Sequence, residues 1–528
     1  MAEQDLPIVV IGAGPVGLAA AAHLRSRGLP TLVLEAGPDV GAAMSEWGHI
    51  RTFTPWKYVV DPTARAFLER DGWTHPAEEV PPTGAEIVAE YLRPLASALG
   101  REVVRTGARV AAVTRHGLDK TRTIGREERP FLVRLETGED ILARAVVDAS
   151  GTWGRSNPLG GSGLPAFGEE EARDFLVGPL PDVLGRDRAQ FAGRRTLVVG
   201  LGHSAANTLL NLAALAEQEP GTEIVWAIRA AAPDRLFGGG EADQLAARGK
   251  LGTDLRSLVA SGRIELVRDF SVESMSVAAD GATVAVTGTT AAGARTIDGL
   301  HAVAAATGFR PDLAMLSELR LDLDPGLEAP SKLAPLIDPQ FHSCGTVPPH
   351  GHRDLQQPEP GFYIVGMKSY GRAPTFLITT GNEQVRSIAA ALAGDLEAAD
   401  AVELVLPETG VCSATLPLTD DESGGGCCGA PAGGAALEPA CGDSDESSGC
   451  GVPEVVADEH HRLLPAGLVP QGFATGVVGG GLVGVAAAAG AGVEVGPGSE
   501  EVGADAEAGA AVASSRQRDL TPTGGCCS

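Results

Sequence analysis

Two short apolar strands in this chain each run directly into a glycine-rich turn and then into a helix. The first strand, residues 8–11, leads into Gly12-Ala-Gly14-Pro15-Val-Gly17 and an Ala/Leu-rich stretch. In such a unit Gly12 makes the tight turn, Gly14 lets the backbone approach a pyrophosphate, and Gly17 lets the helix pack closely on the strand. The helix N-terminus adds N–H donors and the positive end of a dipole. The unit therefore predicts a Rossmann-like dinucleotide fold with these glycines and Pro15 as cofactor contacts.

The next strand, residues 31–34, delivers an acidic side chain, Glu35, about twenty residues past the glycines. A carboxylate at this place binds the ribose hydroxyls of the nucleotide. Because the unit begins at residue 8, we expect the nucleotide to be FAD, since flavoproteins of this architecture commonly open with their FAD fold.

Residues 196–199 repeat the pattern and lead into a second glycine turn, followed by a helical run to residue 216. The third glycine is replaced by alanine, a substitution that the motif tolerates. A packing role at the start of the helix is an open alternative for the histidine of this turn. The predicted cofactor contacts here are Gly200, Gly202, His203, Ser204 and Ala205.

The strand that follows, residues 223–228, ends in Arg229 rather than in an acid. A guanidinium at this place pairs with the 2′-phosphate of NADPH, where NAD would favour a carboxylate. A solvated arginine at the end of a strand is the alternative. We expect NADPH as the second cofactor.

Two dinucleotide sites in one chain indicate two cofactors that face each other, and hydride transfer from a nicotinamide to a flavin needs both. Between and after the glycine turns, residues 102–113 and 131–147, and then 264–277 and 282–306, read as pairs of alternating strands. The sequence therefore predicts an α/β oxidoreductase.

The 528 residues carry a net charge of −27, which disfavours nucleic acid and anionic membranes as partners and favours a small-molecule substrate. Residues 401–528 hold 18 acidic and 3 basic residues together with seven of the eight cysteines. The acidic N-terminus lacks the features of a signal peptide, so we expect a cytoplasmic protein without a membrane span.

Residues 1 to about 400 resemble the two-dinucleotide-domain flavoproteins, the group that contains thioredoxin reductases and flavin-containing monooxygenases. The resemblance lies in the paired glycine turns and in the segments Ser150-Gly151 and Thr307-Gly308, which close the strand runs. It implies an FAD domain that contains an inserted NADPH domain. The implied divisions are residues 1–160 and 306–400 for FAD and 161–305 for NADPH. The low-complexity composition of residues 401–528 separately predicts a disordered, acidic, Gly- and Cys-rich tail.

The last strand–helix unit, from residue 361 onward, contributes Gly366 and Thr380 as predicted FAD contacts. In the family the corresponding strand ends in Gly-Asp, with the Asp on the ribityl chain of FAD, whereas this chain reads Gly366-Met367. A helix that opens at Thr379-Thr380-Gly381 would aim its N-terminal dipole at the flavin.

The cysteine inventory separates the flavoenzyme classes. Disulfide reductases need a redox-active Cys pair beside the flavin, and residues 1–400 contain only Cys344. Monooxygenases need no protein nucleophile, because reduced flavin reacts with oxygen itself. The F-x-G-x-x-x-H signature of the better-known monooxygenases is absent. A monooxygenase is the leading hypothesis, and a flavin-linked disulfide or metalloid reductase that uses tail dithiols is the alternative.

Residues 44–57 concentrate two Trp, a His and an Arg, and Trp47 and Arg51 are the predicted cofactor contacts among them. An aromatic clasp that packs the first domain is the alternative. This segment, the Gly-His203-Ser204-Ala turn and the Cys-rich tail together resemble the flavin monooxygenases encoded with bacterial arsenic-resistance proteins. That resemblance implies a link to metalloid detoxification.

Cys427 and Cys428 form a vicinal pair in the tail. Neighbouring thiolates are soft ligands that chelate thiophilic ions such as trivalent arsenic, so this pair is a candidate metalloid site. The alternative for this pair is that the cysteines are unselected residues in a tail of drifting composition. A separate alternative for the whole protein is a metalloid-binding protein that keeps a flavoprotein scaffold without turnover.

Overall fold

The strand–turn–helix unit at residue 8 forms where the sequence predicts it. Strand β1 (Ile8–Ile11) ends at the glycine turn, helix α1 (Pro15–Ser26) follows, and strand β2 (Thr31–Leu34) pairs with β1 in parallel. Gly28 reverses the chain after α1 with a φ of +73°, a conformation that favours glycine. The computed structural model describes residues 5–237, 246–340, 347–374 and 376–404.

The first sheet has five parallel strands in the order β16-β7-β1-β2-β3. Its other strands are β3 (Val104–Arg105), β7 (Ala145–Asp148) and β16 (Phe362–Ile364). Ile8 and Val10 pack among the helices on one face, whereas Val9 and Ile11 pack on the other face. The helical face holds α1 and α12 (Ile378–Leu392), and the other is covered by an antiparallel sheet of β4 (Val110–Arg115), β5 (Phe131–Leu135) and β6 (Asp140–Ala143).

The second sheet has the same layered construction. Its parallel strands run in the order β11-β10-β9-β15-β8, with bounds β8 (Leu176–Val177), β9 (Arg195–Val199), β10 (Glu223–Ala227), β11 (Glu265–Val267) and β15 (Ala302–Ala305). Helices α7 (His203–Gln218) and α9 (Ala246–Ala260) cover one face. The antiparallel strands β12 (Ser271–Val277), β13 (Val284–Thr290) and β14 (Gly293–Leu300) cover the other.

Shorter helices connect these layers. The α-helices are α2 (Ala42–Glu46), α3 (Pro62–Arg70), α4 (Gly84–Glu86), α5 (Arg93–Leu99), α6 (Arg188–Phe191), α8 (Asp234–Phe237), α10 (Ala334–Ile337), α11 (His352–Leu355) and α13 (Leu396–Asp400). A π-helical segment (Ile87–Leu92) joins α4 to α5. Single 3₁₀ turns lie at Trp56–Tyr58, Arg173–Phe175, Ala314–Leu316 and Gly366–Tyr370.

Each of the four ranges expected to form an alternating strand is divided into two or three strands, which corrects the sequence prediction. Gly138, with a φ of +86°, makes the hairpin between β5 and β6. Asp269 adopts a φ of 53°, and the chain there leaves β11 in the parallel sheet and starts β12 in the antiparallel one. Alternation of apolar residues continues across such turns, so it does not reveal where a strand changes sheet.

The second sheet is inserted between β7 and β16 of the first, as the predicted fold class requires. Two connections link the sheets, one after β7 and the other after β15. Across the described ranges, no helix combines the length and the apolar character needed to cross a membrane.

Candidate functional site

A cavity of about 520 Å³ lies at the carboxyl ends of the first sheet. Its lining comes from the turn after β1, the end of β2, α2, residues 108–110, residues 149–153 and residues 366–367. In an open parallel sheet this edge is where ligands bind. Among the predicted contacts, the cavity brings together Gly12, Gly14, Pro15, Glu35, Trp47 and Gly366.

The three glycines of the first turn fit the tasks that the motif assigns them. Gly12 has a φ of +99°, and a Cβ there would lie 2.7 Å from the carbonyl oxygen of Ala149. A Cβ on Gly17 would collide with the carbonyl oxygen of Gly12. Gly14 has no atom within 4 Å of its Cβ position, so its backbone faces open space in the cavity. These residues fit a pyrophosphate at the N-terminus of α1.

The Glu35 carboxylate stands at the edge of the cavity. Its Oε2 accepts a hydrogen bond from the Ala13 amide at 2.7 Å, and its Oε1 accepts one from the Gly37 amide at 2.8 Å. Each oxygen keeps a lone pair that a ribose hydroxyl can use. Ala108 lies beside it, since the Ala108 amide donates to the Glu35 carbonyl at 2.8 Å. This end of the cavity fits a nucleoside.

The aromatic segment 44–57 contains residues that fit each of its two interpretations, contact with the cofactor and packing of the first domain. Trp47 lines the cavity, whereas Trp56 is 3% exposed and packs in the core. Arg51 is exposed and lies away from the cavity lining. Its Nη1 donates to the Pro81 carbonyl at 2.5 Å and lies 3.4 Å from Oε2 of Glu86. The structure therefore does not bring Arg51 to the cofactor cavity.

The other end of the cavity is built by the segment after β16. Gly366 has a φ of +65°, and its amide donates to Oε1 of Gln384 on α12 at 2.8 Å. Helix α12 begins at Ile378, which lines the cavity, one residue before the predicted opening segment Thr379-Thr380-Gly381. Thr380 is buried in the first turn and is not among the lining residues. The α12 N-terminus thus reaches this end of the cavity.

A buried ion pair that the sequence analysis missed joins the two loops at this end. Nζ of Lys368 lies 2.7 Å from Oδ2 of Asp148 and 3.0 Å from Oγ of Ser150. The Lys368 and Asp148 side chains are 1% and 0% exposed, and Ser150 lines the cavity. The sequence signal for this pair was a charged residue at the end of each of two apolar strands, Asp148 as the last residue of β7 and Lys368 shortly after β16.

The second glycine turn repeats the geometry of the first. Gly200 has a φ of +138°, and a Cβ there would collide with the carbonyl oxygen of Ala306. Gly202 has no atom within 4 Å of its Cβ position, and Ala205 is buried where the helix packs on the strand. The turn therefore fits a second dinucleotide at the N-terminus of α7, where Ser204 also lies.

His203 and Arg229 lie at the rim of this second turn, and both are exposed. The His203 ring contacts Phe53, which comes from the first domain, with 5.0 Å between ring centroids. Nη1 of Arg229 lies 3.2 Å from the Gly161 carbonyl oxygen. A nucleotide 2′-phosphate is a stronger acceptor than this carbonyl, so Arg229 keeps its place as a candidate for it.

A comparison of the sequence with models of known protein families is in line with these two nucleotide sites. The model of the pyridine nucleotide-disulphide oxidoreductase family matches residues 9–343. The chain belongs to this family. Membership confirms the predicted α/β fold class and the resemblance to FAD- and NAD(P)-dependent oxidoreductases.

Two curated relatives of this oxidoreductase each match about two fifths of the chain. Indole-3-pyruvate monooxygenase YUCCA1 of Oryza sativa subsp. japonica is 32% identical over 206 residues, which cover 39% of this chain and 44% of that protein. A ferredoxin–NADP reductase of Thermus thermophilus is 27% identical over 212 residues, which cover 40% and 51%. The chain thus spans about half the length of the curated relatives it matches.

Solved structures of the same fold include a bacillithiol disulfide reductase of Bacillus cereus and the cadaverine monooxygenase DfoA of Erwinia amylovora. The first is 19% identical with a TM-score of 0.53 over 74% of this chain and 99% of its own. The second is 14% identical with a TM-score of 0.51 over 79% and 99%. These likenesses establish the fold of the oxidoreductase and leave its reaction open.

The predicted metalloid ligands of this oxidoreductase, Cys427 and Cys428, lie outside the described residues. Where the structure does describe side chains, no group of three or more His, Cys, Asp and Glu is arranged to hold a metal ion.

Proposed function

We propose that the protein is an FAD- and NADPH-dependent monooxygenase that acts on a small molecule. The observation that carries this proposal is the absence of thiols at the site. No cysteine is found among the described residues that line the cavity, and residues 1–400 contain Cys344 alone. A disulfide reductase needs a redox-active Cys pair beside its flavin, whereas oxygen needs no partner side chain.

The chain's own residues supply binding, orientation and exclusion of water. Gly14 and the α1 N-terminus would hold the FAD pyrophosphate, Glu35 the ribose, and Gly366 with the α12 N-terminus the ring. Bound FAD supplies hydride acceptance from NADPH and electron transfer to oxygen. Trp47 on the cavity wall would shield this region from water.

In the second domain, Gly202 and the α7 N-terminus would hold the pyrophosphate of NADPH, and Arg229 its 2′-phosphate. Two nucleotide sites on adjacent domains let one nicotinamide serve one flavin. This arrangement is common to reductases and monooxygenases, so the support for a monooxygenase comes from the thiol inventory.

The test is an anaerobic NADPH titration of the full-length protein, followed in the visible flavin spectrum. Bleaching after one NADPH per flavin is expected, because the flavin is then the only electron acceptor. A matched variant with all seven tail cysteines replaced by Ser should give the same endpoint. An endpoint near two NADPH per flavin that falls to one in the variant would indicate a coupled disulfide and contradict the proposal.

Oxygen use gives an independent check. With NADPH in excess, oxygen consumption should increase when a substrate is added, and hydrogen peroxide per NADPH should fall. Oxygen consumption that no added compound ever alters would count against a monooxygenase. The link to arsenic resistance, metalloid binding by Cys427 and Cys428, and a cytoplasmic location stay predictions from the sequence.

A further inference from the structure

Ser150 lies between the two parts of the cavity that fit the pyrophosphate and the ring of FAD. On one side it borders the first glycine turn, because a Cβ on Gly12 would be 3.1 Å from the Ser150 Cα. On the other side its Oγ lies 3.0 Å from Nζ of Lys368, two residues past Gly366. Ser150 is exposed and lines the cavity. It therefore borders the stretch that the ribityl chain would cross.

The buried Lys368–Asp148 pair fixes the Ser150 hydroxyl. Oγ of Ser150 donates to Oδ1 of Asp148 at 2.6 Å, and the Ser150 amide donates to the same oxygen at 3.1 Å. Nζ of Lys368 donates to Oγ of Ser150 and lies 2.7 Å from Oδ2 of Asp148. A serine hydroxyl otherwise rotates to suit its partner. Here two buried charged groups determine where its proton points.

This hydroxyl offers the cavity an acceptor and no donor. A serine hydroxyl has one proton and two lone pairs. The proton is used by Asp148 and one lone pair by Lys368, which leaves the second lone pair for a group in the cavity. A phosphate oxygen is itself an acceptor and gains nothing from that lone pair. An alcohol of the ligand can donate to it.

Strong acceptors are scarce along the described lining of the cavity. The side chains of this kind are Glu35, Ser150 and Thr152. Glu35 stands at the nucleoside end, and Thr152 is buried. Met367, beside Gly366, brings a thioether, which is a weak acceptor. A polyol that passes from the glycine turn to the Gly366 segment therefore meets its strongest exposed acceptor at Ser150.

We propose that Ser150 accepts a hydrogen bond from a ribityl hydroxyl of FAD and that the Lys368–Asp148 pair holds it in the accepting orientation. This inference rests on the proposed function in one respect, the placement of the pyrophosphate at Gly14 and of the ring at the Gly366 end. It does not depend on what the reduced flavin reacts with. Lys368 and Asp148 act through Ser150 and are positioning residues.

Equilibrium binding of FAD to the full-length protein stripped of its cofactor tests the proposal. The probes are FAD and three analogues that lack the 2′-, 3′- or 4′-hydroxyl of the ribityl chain, and binding is read from flavin fluorescence. For at least one analogue, the preference of the native chain for FAD should exceed that of Ser150→Ala by about threefold to tenfold, because one neutral hydrogen bond is lost. Preferences that are equal in the two proteins for all three analogues would overturn the proposal.

The comparison separates a contact with FAD from a structural role. Ser150→Ala also removes one hydrogen bond from Lys368 and from Asp148, and a general loosening of the site would weaken FAD and the analogues alike. Thr152→Val, a change in the same loop, is the control and should keep the native preferences. Loss of the preference in Thr152→Val, with Ser150→Ala unchanged, would contradict the assignment.

A second variant covers failure of Ser150→Ala to fold. Ser150→Cys puts a thiol, a weak acceptor, in place of the hydroxyl and should lower the same preference. A native preference in Ser150→Cys would overturn the proposal. Because binding needs neither NADPH nor oxygen, these results stand apart from the NADPH titration and the oxygen measurements, and either proposal can fail alone.

Discussion

Gly14 and Gly202 occupy equivalent places in the two glycine turns, and each has open space where a side chain would go. Gly14→Glu should put a carboxylate into the pyrophosphate site of FAD and yield colourless protein. Gly202→Glu is the matched control, because the same change in the second turn should leave the protein yellow and remove its reduction by NADPH. The ratio of flavin to protein absorbance measures both outcomes. Stoichiometric FAD in Gly14→Glu would refute the placement of that cofactor.

Arg229 tests which nicotinamide nucleotide the second site selects. Arg229→Ala removes the exposed guanidinium near the Gly161 carbonyl and should raise the KM for NADPH about tenfold, since a charge-assisted hydrogen bond is lost. The KM for NADH should change little, because NADH has no 2′-phosphate. Steady-state flavin reduction with each nucleotide gives the comparison. An unchanged preference would remove the 2′-phosphate role.

Removal of only one partner of the Lys368–Asp148 pair should lower the stability of the protein. Lys368→Met leaves the Asp148 carboxylate buried without its cation and should lower the free energy of unfolding by about 3–5 kcal/mol. Adding Asp148→Asn removes the stranded charge and should restore much of the loss. Urea unfolding of the FAD-free variants measures the difference. Lys57→Met, which breaks the exposed pair with Glu79, is the control and should have little effect.

At the scale of elements, local sequence determines the parts that were predicted well. The strands β1 and β2 have the bounds that their apolar runs and flanking turns indicate. The Lys368–Asp148 pair joins residues 220 positions apart, so no local pattern reveals it. The position of Arg51 outside the cavity was not predictable for the same reason, because its backbone pairs with Thr83, a residue distant in the sequence.

Helix α12 holds the Gly366 segment through Gln384, and a buried histidine supports that contact. Nε2 of Gln384 donates to Nε2 of His350 at 2.9 Å, while Nδ1 of His350 lies 3.0 Å from the Pro348 carbonyl oxygen. This pattern requires neutral His350. Burial lowers the pKa of His350 below its ordinary value of 6.5.

The lowered pKa predicts a pH dependence of stability. As the pH falls below 6.5, His350 takes up a proton in the unfolded chain before it does so in the folded protein. The contribution of neutral His350 to the free energy of unfolding is therefore full above pH 6.5 and is lost below it. His350→Gln should therefore lose less thermal stability than the native chain between pH 7.5 and 5.5. Tm measurements of the two FAD-free proteins give the comparison. Parallel Tm losses would show that His350 does not contribute.

At the scale of the whole molecule, the two nucleotide domains repeat one plan. Gly12 packs against the carbonyl oxygen of Ala149, just past the neighbouring strand β7, and Gly200 packs in the same way against Ala306, just past β15. The sequence predicted this repeat because each unit is locally encoded. It did not predict that Phe53 meets His203 across the two domains or that Trp153 meets Phe309 between the two connections, because only the assembled fold brings these rings together.

The two connections between the domains lie side by side. The Asn157 amide donates to the Gly308 carbonyl at 2.9 Å, Oγ of Thr307 donates to the Asn157 carbonyl at 2.6 Å, and Nε of Arg310 donates to Oδ1 of Asn157 at 2.9 Å. The chain therefore enters and leaves the inserted domain at one place, where the two ends of the domain are in contact. A segment with this geometry can be removed as a unit, because a few flexible residues in place of 158–306 would span its two ends. The remaining FAD domain could then be loaded with FAD and titrated without the domain that binds the electron donor.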